Sequence, residues 1–169
     1  MKYNEYINDT NAQVEIDMGD LGVITIELFD KVAPITVKNF LDLVSSSFYN
    51  GLTFHRIIKG FMIQGGDPLG TGFGGSEKNI TGEFKQNGIQ NDLEHTRGVI
   101  SMARSMMPNS ASSQFFIMHK DGKYLDGAYA AFGAVVNGIE VVDKIANVKT
   151  GPSDKPLEKV IIKEIRKIR

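Results

Sequence analysis

Short runs in which apolar and polar residues alternate recur along this chain, bounded by Gly, Asn or Asp, and this period of two most constrains the fold. Val14, Ile16 and Met18 alternate in "QVEIDMG" and Ile24, Ile26 and Leu28 in "VITIELF"; the intervening "GDLG" predicts a hairpin. Strand-like runs resume at "GVISMA", "SQFFIM" and "AYAAFGAVV". Two stretches are read as helices. In "APITVKNFLDLV" Pro34 suits a first helical position and Val37, Phe40, Leu41 and Val44 form a stripe; "GIEVVDKIANV" does the same through Val141, Val142, Ile145 and Ala146. In the tail Val160, Ile161, Ile165 and Ile168 could line a helix, but the β-branched density of "KVIIKEI" favours a strand. Many short strands, two helices and no regular βαβ alternation predict a mainly β fold, an antiparallel sheet or barrel covered by helices.

A single domain accounts for the 169 residues, enough to bury roughly two-thirds of the unfolded surface. With 41% hydrophobic residues, 23% charged residues and a net charge of -1, the chain has neither the composition of disorder nor the basic excess of a nucleic-acid binder. The basic tail "KVIIKEIRKIR" is short and interrupted by Glu164, and reads as a solvated edge. The absence of cysteine excludes disulfides, thiolate catalysis and cysteine-ligated metals. The first 20 residues include acidic side chains and no apolar block of signal length, and no run spans a membrane. A soluble cytoplasmic protein without membrane partners is expected. No oligomerisation helix is recognisable, so a monomer is expected.

One stretch carries a permanent cation among apolar residues. In "FHRIIKGFMIQGGD", residues 54–67, Arg56 lies among Phe54, Ile57, Ile58, Phe61, Met62 and Ile63. Burying an uncompensated charge is too costly, so Arg56 needs partners or a ligand. "SSQFFIM" has a similar mixture, with Gln114 and Phe116 on one strand face, as Met62 and Gln64 are on another. A groove of Phe61, Met62, Phe116 and two amides around an arginine suits an apolar ligand with hydrogen-bonding groups and offers no acid, base or nucleophile. A core with both glutamines bonded to backbone is the alternative.

Residues 65–92, rich in Gly, Asn, Asp and Ser, are long for a structureless loop and are expected to be functional. Within them "GTGFGG", residues 70–75, matches a dinucleotide fingerprint by letter, but "SEKNITGEF" after it is turn-like rather than helical. A glycine loop that lets another chain approach closely is the better reading. His55, His95 and His119 show no metal-ligand spacing, and no nucleophile elbow is present, so neither a metal nor a hydrolytic triad is expected.

In order along the chain, "FHRIIKGFMIQGGD", "GTGFGG", "HTRGVISMAR", "NSASSQFFIM" and "LDGAYAAFG" resemble signature segments of the cyclophilin-type peptidyl-prolyl cis-trans isomerases. The similarity runs over about residues 12–168, which leaves residues 1–11 as a short N-terminal extension of a domain at 12–169. The "MARS" form resembles bacterial members. The resemblance implies an eight-stranded closed antiparallel β-barrel capped by two α-helices, with an active groove on its outer face. It implies an enzyme that accelerates rotation about X-Pro bonds in peptides and folding proteins, without covalent intermediates or a cofactor.

Arg56 is the implied catalytic residue, and Phe61, Met62, Phe116 and Leu125 the implied proline pocket. Gln64 and Gln114 match polar groove positions, and Gly72, Ala103, Arg104 and Ser105 match positions where backbone runs beside the bound peptide. Two further substrate-site positions depart from common family forms: Tyr124 stands where cyclosporin-sensitive members carry Trp, and Tyr129 where many carry a groove His. Cyclosporin binding is expected to be weakened, since Tyr lacks the indole N–H donor. A non-catalytic proline-binding or chaperone module on the same fold is the rival reading.

Overall fold

The predicted hairpin forms from β1 (Gln13–Asp17) and β2 (Val23–Leu28), with Val14 opposite Ile26 and Ile16 opposite Ile24. It belongs to a computed structural model describing residues 1–169. The other strands are β3 (Phe54–Ile58), β4 (Met62–Gly65), β5 (Val99–Met102), β6 (Phe115–Met118), β7 (Ala131–Asn137) and β8 (Glu164–Lys167). They make one eight-stranded sheet in the order β3-β4-β6-β5-β7-β2-β1-β8, with every pairing antiparallel.

The expected closed barrel is instead a curled sheet with a short seam. β3 and β8 do not pair along their lengths; the edges meet where the Gly51 N–H donates to Ile162 O (2.8 Å), the Ile162 N–H to Leu52 O (2.8 Å) and the Phe54 N–H to Val160 O (3.0 Å). The predicted tail strand is accordingly divided. Val160 and Ile162 serve the seam, and residues from Glu164 onward turn to β1.

Both predicted helices form, α1 at Pro34–Ser45 and α2 at Ile139–Ala146. Phe40 of α1 enters the barrel, its ring 5.2 Å from Tyr49, 5.6 Å from Phe115 and 5.3 Å from Phe132. Burying such rings is the main driving force of the fold. Leu41 is only half-buried, and Thr36 takes a buried place instead. Ala33 cannot cap α1 with its side chain, so a distant carboxylate does: Glu83 accepts from the N–H groups of Ile35 (3.2 Å) and Thr36 (2.7 Å) and from the Thr36 hydroxyl (2.6 Å).

Alternation divides the apolar residues of β4 and β6 between two clusters. Ile63, Phe115 and Ile117 fill the barrel; Met62, Phe116 and Met118 join Val99 and Leu125 in an outer cluster. The first 11 residues pack on the same body. Tyr3 is buried in the outer cluster and its hydroxyl donates to Val135 O (2.6 Å). The buried Glu27 carboxylate accepts from the Asn8 N–H (3.0 Å), the Asn11 amide (2.9 Å), the Gln13 amide (2.8 Å) and Arg169 (3.0 Å), tying both chain ends to β2.

Candidate functional site

Strict alternation would place Arg56 on the same face as Phe54, inside the barrel. A register shift between Phe54 and Arg56 prevents this: Phe54 and His55 are both buried, Arg56 is exposed, and Ile57 returns to the core. Such a bulge re-aims a side chain at the cost of local ladder bonding. Once re-aimed, Arg56 heads a row running across the strands, opposite Gln64, which is opposite Phe116, which is opposite Ser101.

A chain of hydrogen bonds orients the polar members. The Gln114 amide nitrogen donates to Gly72 O (3.0 Å) and Gly74 O (2.8 Å), so its oxygen faces Gln64, whose amide nitrogen donates to it at 2.9 Å. The Gln64 oxygen then accepts from Arg56 Nη1 at 3.3 Å. Two carbonyls on a glycine loop thus fix both amides and steady the guanidinium. The loop is itself held by the buried Asp67, which accepts from the N–H groups of Leu69 (2.8 Å), Thr71 (3.0 Å) and Gly72 (2.6 Å). Burial alone would raise the Asp67 pKa, but these backbone donors and Gly74 outweigh it and hold the carboxyl below the usual range. No helix follows residues 70–75, so the context of a dinucleotide loop is lacking.

Beside the arginine lies a cavity of about 150 Å³ lined by Arg56, Phe61, Met62, Gln64, Ala103, Arg104, Phe116, Leu125 and Tyr129. Nine expected site residues therefore surround one hollow, six of them hydrophobic. Gln114 and Gly72 lie behind it through the amide chain, and Ser105 lies on its exposed margin. Tyr124 is 74% exposed and stands outside it, its ring 5.8 Å from that of Phe61. The Arg104 guanidinium is stacked over Phe84 (4.7 Å) and Tyr129 (4.8 Å) and donates to Ala128 O (2.6 Å from Nη2), so its charge is already committed. Arg56 bonds only to Gln64 and makes no ion pair.

Two histidines brace this hollow, a role that spacing in the sequence did not reveal. His95 stacks on Phe116 (5.9 Å, 18° between planes) and accepts the Gly122 N–H with its carbonyl (2.8 Å). Its Nδ1 lies 2.9 Å from Asp126 and its Nε2 2.8 Å from the Ser101 hydroxyl. These are the distances of a hydrolytic triad, yet Ser101 is fully buried and no substrate can reach it. His119 supports the β3–β4 turn: its Nδ1 accepts from the Gly60 N–H (2.9 Å), and its own N–H donates to Phe61 O (2.8 Å). His55 is also buried, and both its ring nitrogens lack partners. Burial lowers the pKa of all three below that of a free imidazole, so they are neutral at pH 7.

The cyclophilin type peptidyl-prolyl cis-trans isomerase/CLD family model matches residues 13–167. Peptidyl-prolyl cis-trans isomerase CYP18-1 of Arabidopsis thaliana is 45% identical over 147 residues, which are 86% of this chain and 90% of the relative. Peptidyl-prolyl cis-trans isomerase ppi1 of Schizosaccharomyces pombe is 44% identical over 156 residues, 91% of this chain and 98% of the relative. A cyclophilin type isomerase of Cryptosporidium parvum, crystallised in the presence of the dipeptide Ala-Pro, superposes with a TM-score of 0.85 at 37% identity, covering 93% of this chain and 99% of that one. With similarity of this extent in both sequence and fold, the chain belongs to the family of cyclophilin-type peptidyl-prolyl cis-trans isomerases.

Proposed function

We propose that the hollow seats the proline of an X-Pro peptide and that Arg56 catalyses rotation about its amide bond by stabilising the twisted state. The observation that carries this reading is an exposed guanidinium with a single side-chain partner at the mouth of a cavity that six hydrophobic residues help to line. Amide resonance sets a barrier of about 18–20 kcal/mol. As the bond twists, the nitrogen lone pair leaves the carbonyl and becomes a hydrogen-bond acceptor. Arg56 holds a substrate carbonyl with one arm of its fork while another N–H meets that nitrogen. The second contact forms only in the transition state, as differential binding requires.

Phe61, Met62, Phe116 and Leu125 hold the ring while the acyl side rotates. Lowering the barrier by about 7 kcal/mol would raise the rate about five decades, shared between the charged donor and the orienting pocket. No covalent bond breaks, so no acid, base or nucleophile is required. The substrates proposed are proline-containing peptides and folding chains. Because Tyr124 is exposed and lacks an indole N–H, cyclosporin would bind weakly. The proposal extends to a cytoplasmic monomer, with residues 1–11 an extension folded together with the barrel domain.

NMR exchange between the cis and trans forms of an X-Pro peptide distinguishes catalysis from passive binding. Exchange accelerated by catalytic amounts of the protein supports the proposal. Saturable binding without acceleration would replace it with a non-catalytic proline-binding module.

A further inference from the structure

The first residues of the chain pack against the segments that support the hollow. Tyr3 is 2% exposed and belongs to the outer cluster that also contains Met62, Phe116 and Leu125. Its ring fits where Gly98 has no side chain: a Cβ at that position would lie 2.7 Å from the Tyr3 hydroxyl oxygen and 3.4 Å from two ring carbons. The hydroxyl donates to Val135 O (2.6 Å), and the Val135 N–H donates to Gly98 O (2.8 Å), so one tyrosine closes on both the entry of β5 and on β7. Tyr3 and Tyr6 also share a cleft of about 310 Å³ with Leu93 and Thr96. Beside them Lys2 Nζ meets one Asp121 oxygen (3.0 Å), while the other accepts the Arg97 N–H (2.9 Å). That ion pair is exposed and contributes little by itself, so the buried tyrosine ring carries the attachment.

Residues 92–98 and 119–126 each support one wall of the hollow. His95 stacks on the Phe116 ring, and Leu125 lines the hollow itself. The two segments hold one another: the His95 N–H donates to Asp126 Oδ1 (2.7 Å), the Gly122 N–H to His95 O (2.8 Å), and the Leu125 N–H to Gly122 O (3.0 Å). We propose that Tyr3 is a positioning residue for the hollow: by clamping Gly98 to Val135 it steadies residues 92–98, and through His95 it keeps Phe116 and Leu125 in the binding arrangement before a proline arrives. This assignment rests on the proline-site reading and gives the N-terminal extension a part in it. A hollow that is organised for only a fraction of the time binds more weakly by that fraction, whereas bound substrate selects the organised form. Loss of Tyr3 therefore raises Kd and KM. It leaves kcat, because Arg56, Gln64 and Gln114 are oriented from the glycine loop and not from these segments.

The test compares wild type, Tyr3→Ser, Tyr3→Phe and Asn8→Ala on one fluorescently labelled X-Pro peptide, at a temperature where all four are folded. Titration gives Kd, and NMR exchange gives KM and kcat. Tyr3→Ser should raise Kd and KM about fivefold with kcat within about twofold of wild type, and Tyr3→Phe, which keeps the ring against Gly98, should recover most of the affinity. Asn8→Ala removes the acceptor of the Thr10 and Asn11 N–H groups (both 2.9 Å) at the far end of the extension, and should lower the thermal midpoint without moving KM. If Tyr3→Ser does not fold, Tyr3→Leu takes its place, and Kd and KM should again rise. Unchanged Kd and KM in the Tyr3 variant, a fall in kcat at constant KM, or an equal rise of KM in Asn8→Ala would each overturn the assignment. A wild type that binds the peptide without turning it over would sink the isomerase reading and leave Tyr3 to be decided by Kd. A wild type that binds no X-Pro peptide would overturn both.

Discussion

Replacing Gln114 with Leu keeps the side-chain volume but removes the link between the glycine loop and Arg56. Three side-chain hydrogen bonds are lost, to Gly72 O, Gly74 O and Gln64. Each is worth about 1 kcal/mol net, and water replaces part of that at a half-buried site, so the stability loss should be about 1–2 kcal/mol. Turnover should suffer more, because the Gln64 amide is no longer held with its oxygen toward Arg56. Misplacing a catalytic group by about 1 Å costs up to a hundredfold in rate, and we expect kcat/KM for a short X-Pro peptide to fall about tenfold or more. Gln64→Leu removes the Arg56 partner directly and should lose at least as much. If Gln114 acts through Gln64, the double variant should be no worse than Gln64→Leu alone. NMR exchange on all four proteins measures the cycle. Fully additive losses, or unchanged turnover in Gln114→Leu, would refute the relay.

Phe116→Ala should weaken peptide binding and also destabilise the fold, by about 3 kcal/mol or more, because the ring is 5% exposed and packs on His95 and Tyr129. Denaturant midpoints alongside peptide titration check this, and unchanged stability would contradict its place in the outer cluster. Tyr3→Phe should cost about 1 kcal/mol through its lost bond to Val135 O, and removal of residues 1–11 more. Should that truncation leave the thermal midpoint unmoved, the segment is no part of the folding unit. Lowering the pH should destabilise the protein in two stages. His55, His95 and His119 have folded pKa values below the unfolded one, so the unfolded chain binds protons first and stability falls as the pH drops below about 6.5. Asp67, also depressed, adds a second loss below about pH 4. A thermal midpoint constant from pH 7 to 5 would contradict the neutral, buried histidines.

Local pattern carried the β1–β2 hairpin and both helices, since each buries one face at its own period. Alternation also separated Met62 and Phe116 from Ile63 and Phe115. What pattern could not carry were features that depend on distant partners. The register shift beside Arg56 is invisible in "FHRII", where simple alternation would turn the cation inward. Glu83 caps a helix 47 residues away, and the tail divides because Val160 and Ile162 must reach the seam. The orientation of the glutamine amides follows from Gly72 and Gly74 carbonyls and has no sequence signature. Most expected site residues meet in the hollow, but Tyr124 stands outside it, and the bracing by His95 came only with three-dimensional packing.

We propose that the Arg56 fork, rather than positive charge alone, lowers the barrier. Arg56→Lys tests it most directly, because the cation remains and the site is exposed, so the fold is expected to survive the exchange. Cis-trans exchange of an X-Pro peptide, measured beside its Kd, should show turnover reduced by about a hundredfold or more with affinity nearly unchanged. Near-normal turnover in the lysine variant would contradict the account.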